Sequence, residues 1–597
     1  MEWKTKLNKI IEELDIGSIG KWLSYSLLIG IVAGLGATFF YFLMTLSSQF
    51  FLNYLGGYFP PLPAGETVDQ VQVHKFSSWL FFFIPALGGL ISGFIVYSLA
   101  PEAEGHGTDA VIDSFHRLKG VIRKRVPLVK AISSVITIGS GGSAGREGPI
   151  AQIGAGFGSY FASLLKLSEH DRRVMLVAGA GGGIGSIFRS PLGGALFATE
   201  VLYREPEFEF ESIIPAIISS IVAYCTFCSF CGWGVLFDTP EYLFNHPVEL
   251  IPYSILGIVC AFLGVVYIKI FYGFRDHFFK KLKIPNHFKP AIGGLMLGVL
   301  AFFLPHILGG GYGWVQLAIF GKMSIRLMLV LAIAKMFATA FTISSGGSGG
   351  VFAPSLFIGA MLGGAFGGIC QLVFPGLVSQ PTAFVLVGMG GFFAGAANVP
   401  IASVIMACEM TGSYGLLAPL LLVSTVSFLF TRRWSIYEKQ VKSRVDSPAH
   451  FGEFAIDVLK DLKVKDVVGE NKELLSIPEG MPLRKILRMI VDVHGSCFPV
   501  VNSEGKMTGM ISVDDLRRII FEKYMIGLIV AKDIATTTDI ITVTRDEDLH
   551  SVMRKFTIKN IEELPIVNKE KSGKVDGILS RKDVIIAYNK RLGDILN

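Results

Sequence analysis

Ser140-Gly-Gly-Ser-Ala-Gly-Arg-Glu-Gly-Pro149 aligns position for position with Ser345-Gly-Gly-Ser-Gly-Gly-Val-Phe-Ala-Pro354. The correspondence runs on through Ile153, Gly154 and Ala155 opposite Ile358, Gly359 and Ala360. Further along, Gly179, Gly181, Gly182, Pro191 and Glu200 pair with Gly388, Gly390, Gly391, Pro400 and Glu409. Two related halves therefore make up most of the chain, each with a glycine-interrupted segment at the same place. Paired interruptions of this kind point to a transporter-type site at the interface of two repeats. Such repeats are often inverted, a property that identity alone does not reveal.

The flanks of both segments are membrane-like. Hydrophobic residues make up 51% of the 597 residues and charged residues only 17%. Mean hydropathy is +0.54, whereas soluble domains carry about 25% charge. Tyr25 to Leu46, Phe76 to Ala100, Ser212 to Phe237, Leu250 to Ile268 and Pro290 to Gly321 each lack Asp, Glu, Lys and Arg. Met336 to Cys408 is one uncharged run, far longer than the ~20 residues that cross a bilayer. It must fold back on itself, and Gly346, Gly347, Gly349, Gly350, Pro354, Pro375, Pro381 and Pro400 break it. Broken helices are tolerated at membrane depth only where they line a cavity or pack within protein. The expected body is therefore an all-α polytopic membrane domain with broken helices.

No secretory signal is visible, and Met1 to Leu14 reads as a charged cytoplasmic helix. Basic blocks at Arg117 to Lys130 and Arg432 to Arg444 read as cytoplasmic flanks, not nucleic-acid sites. The expected protein is multi-pass in the cell membrane, in contact with lipid, with both termini cytoplasmic. Cys225, Cys228 and Cys231 have a metal-like spacing, but they sit in an uncharged apolar run and read as packing residues of a lipid-facing helix. Cys497 lies in the polar tail, whose pattern suits a reducing cytosol.

An anion in a low-dielectric membrane needs a substitute for its hydration shell. Backbone N–H groups at helix N-termini supply one without cations that would trap the ion. Gly141 to Gly148 and Gly346 to Phe352 fit that geometry, and Gly105-His-Gly-Thr108 is a third, shorter candidate. Glu147 stands out, because a carboxylate at such a terminus competes with the anion for the same dipoles and can take a proton. The plainer reading is a salt bridge to Arg146. Function is favoured because Glu147 sits inside the repeated motif opposite Phe352. Glu200 and Glu409 occupy matched positions, so capping or packing is expected of them. Lys335 and Arg189 read as structural pairs or helix-end residues.

After about Tyr437 charge returns, and short apolar strands alternate with amphipathic helices. Gly509-Met-Ile-Ser-Val-Asp-Asp515 matches Gly577-Ile-Leu-Ser-Arg-Lys-Asp583, and Phe498-Pro-Val-Val501 matches Leu564-Pro-Ile-Val567. Each unit reads helix, strand, turn, strand, helix. The expected organisation is an N-terminal helix over 1–20, membrane repeats over 21–238 and 239–440, a linker over 441–462, and two α/β units over 463–528 and 529–597.

Gly145-Arg-Glu-Gly-Pro149, Gly350-Val-Phe-Ala-Pro354 and Pro191-Leu-Gly-Gly-Ala-Leu-Phe-Ala-Thr-Glu200 together resemble the chloride channel/transporter (CLC) family. The tail resembles a pair of cystathionine-β-synthase (CBS) domains, and the likeness covers nearly the whole chain. It implies two inverted repeats per subunit and a homodimer with one anion pathway per subunit. It implies Glu147 as the voltage- and pH-responsive gate. Chloride would be held by amides around Arg146, Gly148, Val351 and Phe352, by the His106–Gly107 segment, and by the Tyr437 hydroxyl. In the tail, Ser512, Asp515, Ser580 and Asp583 would contact the phosphate and ribose of ATP, ADP or AMP. No other cofactor is implied, and the protein is expected not to be an enzyme.

Two departures from the family pattern matter. Its first motif usually reads Gly-Ser-Gly-x-Pro; here His106 takes the Ser position. Either its imidazole joins the anion site or it points away and a backbone amide does the work. Family exchangers commonly carry a glutamate directly after the residue matching Glu200; here that position is Val201, which cannot relay a proton. A conductive chloride channel is therefore expected, with a proton-coupled chloride antiporter as the alternative. An intramembrane serine hydrolase would use Gly141-Gly-Ser-Ala-Gly145 or Gly346-Gly-Ser-Gly-Gly350, yet no His occurs between Lys335 and Lys439. A magnesium carrier with CBS domains would need several converging carboxylates, and the long uncharged run has none.

Overall fold

The computed structural model describes residues 16–66, 78–244, 246–450, 458–468, 475–490, 496–519, 528–538, 540–559, 561–568 and 573–596. The helix expected over Met1 to Leu14 lies outside the described residues. The chain divides into two compact units, Met1–Ala449 and His450–Asn597, and the division falls within the polar stretch Asp446 to Gly452.

The first unit is helical. Its first half contains α1 (Ile16–Ser48), α2 (Ile84–Leu99), α3 (Thr108–His116), α4 (Val126–Gly139), α5 (Glu147–Leu164), α6 (Glu169–Ile187), α7 (Pro191–Glu200) and α8 (Phe210–Cys231). Its second half contains α9 (Leu250–Gly273), α10 (Lys289–Phe303), α11 (Tyr312–Ile319), α12 (Ile325–Ile343), α13 (Phe352–Val373), α14 (Ala383–Ala397), α15 (Pro400–Thr411) and α16 (Leu417–Thr431). Six helical stretches among the described residues are long and apolar enough to cross a membrane, from Gly20–Leu55 to Phe352–Val373. Large apolar side chains such as Phe39, Ile214, Phe262 and Leu372 stay exposed on their outer faces, as expected where lipid is the solvent. Helices α7 and α15 have only 10 and 12 residues. At 1.5 Å per residue they span about half of the ~30 Å hydrocarbon core, so their termini fall inside the protein.

The two halves repeat each other in detail. Helix α5 crosses α6 where Gly154 meets Gly179, and α13 crosses α14 where Gly359 meets Gly388. A Cβ on Gly154 would lie 2.1 Å from the Gly179 carbonyl oxygen, and one on Gly359 2.4 Å from that of Gly388. Only glycine lets the backbones approach so closely. Arg189 and Asn398, one position before each buried turn into α7 and α15, both take positive φ (52° and 57°) and both donate to nearby backbone carbonyls.

The matched glutamates cap each other's helices. Glu200, the last residue of α7, accepts from Ile401 N (3.1 Å) and Ala402 N (2.7 Å) at the start of α15. Glu409, near the end of α15, accepts from Leu192 N (3.2 Å), Gly193 N (2.7 Å) and Ser190 Oγ (2.6 Å) at the start of α7. Buried helix starts leave N–H groups without intrahelical partners. Here each repeat supplies the acceptor for the other, which is the capping role expected of the pair. Lys335 is likewise structural: its Nζ donates to Ile307 O (2.7 Å) and Gly309 O (2.6 Å).

In the second unit, β1 (Ile477–Pro478) pairs parallel with β2 (Cys497–Val501), which pairs antiparallel with β3 (Met507–Ser512). A separate two-stranded sheet joins β4 (Glu563–Val567) antiparallel to β5 (Val575–Ser580). The registers match: Phe498 faces Ile511 as Leu564 faces Leu579, and both hairpins are irregular at the same place. Helices α17 (Val464–Val467), α18 (Leu483–Ile490), α19 (Val513–Ile519), α20 (Ala531–Ile534), α21 (Leu549–Lys559) and α22 (Arg581–Leu596) complete the unit. The helix–strand–turn–strand–helix order read from sequence appears in both copies. The copies also interlock. Val464 and Val468 pack in the core of β4 and β5, whereas Ala531 packs in the core of β1 to β3.

Removing either reciprocal cap leaves two helix-terminal amides without that acceptor. Glu200→Ala and Glu409→Ala should each destabilise the membrane unit by about 2 kcal/mol. The check is thermal unfolding of the detergent-solubilised protein, where both variants should melt below the wild type by comparable amounts.

Candidate functional site

The two glycine motifs meet at the centre of the first unit. Gly145 N donates to Gly350 O (2.8 Å) and Gly350 N to Gly145 O (2.6 Å), a short antiparallel bridge between the halves. Helices α5 and α13 begin two residues beyond it. Glu147 is the first residue of α5, yet its side chain crosses to the other repeat. Its Oε1 accepts from Phe352 N (2.5 Å) and Ala353 N (3.0 Å) at the start of α13. The carboxylate is 2% exposed, and Oε2 is buried without a hydrogen-bond partner. Glycine makes room for it: a Cβ on Gly350 would lie 2.3 Å from Oε1, and one on Gly145 2.2 Å from Oε2.

The salt bridge weighed between Glu147 and Arg146 does not form. Arg146 turns away, pairs with Glu66 at 2.6 Å, and lies over the rings of Tyr312 (4.8 Å), Phe188 (5.6 Å) and Tyr41 (5.7 Å). Its guanidinium is thereby withdrawn from the Glu147 carboxylate, which the amides of α13 hold instead.

On the other side of Glu147, the segment Gly105 to Thr108 packs against Gly148. A Cβ on Gly148 would lie 1.7 Å from the His106 carbonyl oxygen. Gly107, with φ of 82°, turns the chain into α3. Lys130 fixes this segment from below, with Nζ donating to Ala103 O (3.0 Å) and Gly105 O (2.7 Å). Lys130 is fully buried, which corrects its reading as part of a basic cytoplasmic flank. It does for Gly105 what Lys335 does for Gly309 in the other repeat.

The His106 ring lies 5.3 Å from the Tyr437 ring, and its Nε2 is 3.2 Å from Asp109 Oδ2. Nδ1 is buried without a hydrogen-bond partner. Tyr437 is fully buried, and its hydroxyl also lacks a partner; the Thr108 hydroxyl lies beside it outside hydrogen-bond geometry. The tyrosine is held in place by its neighbours. Gln440 Nε2 donates to Val201 O and Ala397 O, both at 3.0 Å, and Ile436 N donates to Ala396 O (2.8 Å). Tyr437 also edges onto Phe197, which contacts Phe352. A cavity of about 800 Å³ opens from His106 to the surface, lined among others by Glu104, Asp109, Arg123, Arg275 and Lys439.

The structure thus brings together Glu147, Gly148, Val351, Phe352, His106, Gly107, Tyr437 and the backbone of Arg146. Ala353 and Asp109 also belong to the cluster and were missed. Ala353 follows from counting the free amides of a helix start; Asp109 lies at i+3 from His106, on one face of the same turn. The serines of the two Gly-x-Ser-x-Gly matches bond elsewhere: Ser143 with Thr339 (3.1 Å), and Ser348 with Ser134 (2.9 Å) and Ala103 O (3.0 Å). In the second unit, Ser512 and Asp515 bond to each other, and so do Ser580 and Asp583. In each pair the serine Oγ donates to Asp Oδ2 (2.6 and 2.7 Å) and accepts from the aspartate N–H (3.2 Å). Both pairs are reciprocal caps at a strand-to-helix junction.

A buried carboxylate seated on helix-terminal amides, where two repeats of apolar helices meet, defines a polytopic membrane protein with an acceptor shared between its repeats. The family model described as voltage gated chloride channel matches residues 88–432, and the CBS domain model matches 464–522 and 531–590. The chain belongs to this chloride channel/transporter family and carries two CBS domains after the membrane unit. It is 30% identical over 419 residues to the H(+)/Cl(-) exchange transporter ClcA of Vibrio cholerae serotype O1 (strain M66-2), covering 69% of this chain and 86% of that protein. Its fold is similar to a slow cyanobacterial Cl-/H+ antiporter, with a TM-score of 0.62 at 21% identity over 69% of this chain and 94% of the other. It is also similar to a eukaryotic CLC transporter, with a TM-score of 0.58 at 17% identity over 95% and 98% of the two chains.

Gly148 allows no side chain beside His106. Gly148→Ala should therefore push the His106 segment off the site and lower anion turnover about 100-fold, the scale expected for a displacement near 1 Å. The measurement is chloride efflux from proteoliposomes, normalised to protein that elutes as a single species.

Proposed function

We propose that this protein exchanges chloride for protons across a membrane, with Glu147 as the group that binds both in turn. The observation that carries this reading is the carboxylate of Glu147 seated on the amides of Phe352 and Ala353. An entering anion needs those same amides, so carboxylate and anion exclude each other. The displaced carboxylate loses its two N–H donors. It then meets its charge either by reaching water or by taking a proton. Where it takes a proton, anion entry is tied to protonation of Glu147, which is the elementary requirement of exchange. Chloride is the substrate that the Vibrio cholerae relative's name carries, and both that relative and the cyanobacterial structure are described as proton-coupled.

The backbone amides near Gly107 and Gly148, the His106 segment and the Tyr437 hydroxyl form the next station for the anion. Lys130, beside this segment, is committed to the carbonyls of Ala103 and Gly105. The conductive channel remains the second reading, and one observation favours it. Val201, where family exchangers commonly carry a glutamate, is buried and apolar. The same proposal includes a homodimer with both termini on the cytoplasmic side.

Adenine nucleotide at the CBS pair is a further part of the proposal. The motif residues stand as matched Ser–Asp caps at the same place in both copies, and each cap engages Oδ2 of its aspartate. If ATP, ADP or AMP binds there, equilibrium dialysis on the full-length protein should show saturable binding. Asp515→Ala and Asp583→Ala should each weaken it about ten-fold.

The central test is the reversal potential of reconstituted protein under a proton gradient. The wild type should reverse away from the chloride equilibrium potential. Glu147→Gln should still pass chloride but reverse at that potential, because an amide cannot carry the proton. A wild type that already reverses at the chloride equilibrium potential would establish the channel reading instead.

A further inference from the structure

Glu66 lies outside both glycine motifs, yet its carboxylate reaches the residue beside Glu147. We propose that Glu66 is a second displaceable carboxylate. It is seated on an anion site that the Arg146 guanidinium forms with the Tyr312 hydroxyl, and an arriving chloride takes its place. The inference rests on the chloride-carrying part of the reading above and holds for exchange and conduction alike.

The Arg146 side chain has donors to spare. It is 2% exposed, and its Nη1 holds Glu66 Oε1 at 2.6 Å. Its Nε and Nη2 are buried without a hydrogen-bond partner. So is the Tyr312 hydroxyl, which lies beside the guanidinium outside hydrogen-bond geometry. A guanidinium presents more N–H groups than one carboxylate oxygen uses, in a fork that suits anions. The rings of Tyr41, Phe188 and Tyr312 cover it without competing for those donors. A second guanidinium flanks the Gly65–Glu66 turn. A Cβ on Gly65 would lie 3.1 Å from Arg189 Nη1, and Arg189 donates to the carbonyls of Cys231 (3.0 Å) and Gly234 (3.4 Å). Clustered positive charge in low-dielectric surroundings favours an anion.

The site stands next to the Glu147 seat and apart from the cavity that opens from His106. Phe188, under Arg146, has its ring centre 4.9 Å from that of Phe352, whose N–H holds the Glu147 carboxylate. None of Glu66, Arg146, Arg189 and Tyr312 lines the His106 cavity.

Glu66 is delivered by a strap that Pro60, Pro61 and Pro63 stiffen. Ala64 N donates to Gln316 Oε1 (3.2 Å) and Gly65 N to Leu236 O (3.1 Å). Gly313 of α11 lies so close beneath the strap that a Cβ there would be 1.8 Å from the Pro61 carbonyl oxygen. The backbone is thus pinned, and the carboxylate is the member of the pair with access to solvent, 12% exposed against 2% for Arg146. An anion approaching Arg146 meets Glu66 first. The arrangement repeats the one at Glu147, where a carboxylate also occupies donors that an anion would use. A buried guanidinium without a counter-charge is costly, so chloride is drawn in wherever the carboxylate is removed.

The test is thermal unfolding of the full-length protein in detergent, in sodium chloride and in sodium gluconate. It compares wild type, Glu66→Gln, Glu66→Asp, and Glu66→Gln combined with Arg146→Gln. In gluconate, Glu66→Gln should melt about 4 °C below the wild type. Excess chloride should close at least about half of that gap. Glu66→Asp keeps the charge on a shorter arm and should show the same closing of a smaller gap; it decides the matter if Glu66→Gln does not fold in gluconate. The double variant should lose the extra chloride response. An equal gap in both salts would mark a structural ion pair only and overturn the inference. No gap in either salt would overturn it too, as would a chloride response that survives in the double variant. Proton coupling is read separately from the reversal potential. A wild type that proves to be a channel therefore leaves this inference standing, and its failure leaves exchange through Glu147 intact.

Discussion

A helix that begins inside a membrane protein exposes backbone N–H groups with no water to satisfy them, and the membrane unit is organised around that constraint. Three of its helix starts find an acceptor from the opposite repeat. Glu200 serves α15, Glu409 serves α7, and Glu147 serves α13. Loop carbonyls face the complementary demand, and Lys130 and Lys335 meet it in matched positions. Charges that would be costly alone in a low dielectric are thus tied to backbone groups that would be costly without them. The halves are held together by this exchange as well as by their apolar packing.

Function lies where the symmetry breaks. Glu200 and Glu409 answer each other, and both remain structural. Glu147 has Phe352 as its counterpart, so one helix begins with a carboxylate while the matching one begins with an aromatic ring. His106 falls opposite Gly310, and Tyr437 comes from the segment after the last helix of the second repeat. An anion site made by a strict two-fold would have two equal ends. The proposed site has a carboxylate on one side and an imidazole with a tyrosine on the other, so its two ends differ chemically.

The capping pairs of the tail show a related economy. Ser512 with Asp515, and Ser580 with Asp583, close the strand-to-helix junctions of the two CBS units before any ligand is considered. A motif that a nucleotide would read is also what shapes the local fold. The exchange of leading segments between the two cores, Val464 into one and Ala531 into the other, ties the pair into one compact unit.

Much was legible in the sequence because it is local or periodic. Uncharged runs mark membrane helices, the duplicated glycine motif marks the crossing of two repeats, and a glutamate inside that motif marks a carboxylate at a helix start. Symmetric placement pointed Glu200 and Glu409 to capping or packing, and the structure shows capping. Partner choice was not legible. Glu147 could have paired with its neighbour Arg146, and only the fold shows Arg146 committed to Glu66 and the carboxylate lying across the interface on Phe352 and Ala353. Lys130 read as a surface charge because its neighbours in sequence are basic, whereas its neighbours in space are carbonyls. The reason is general: sequence specifies which groups need a partner, but the partner is set by which backbones come within 3 Å, and that is decided when the two repeats close on each other.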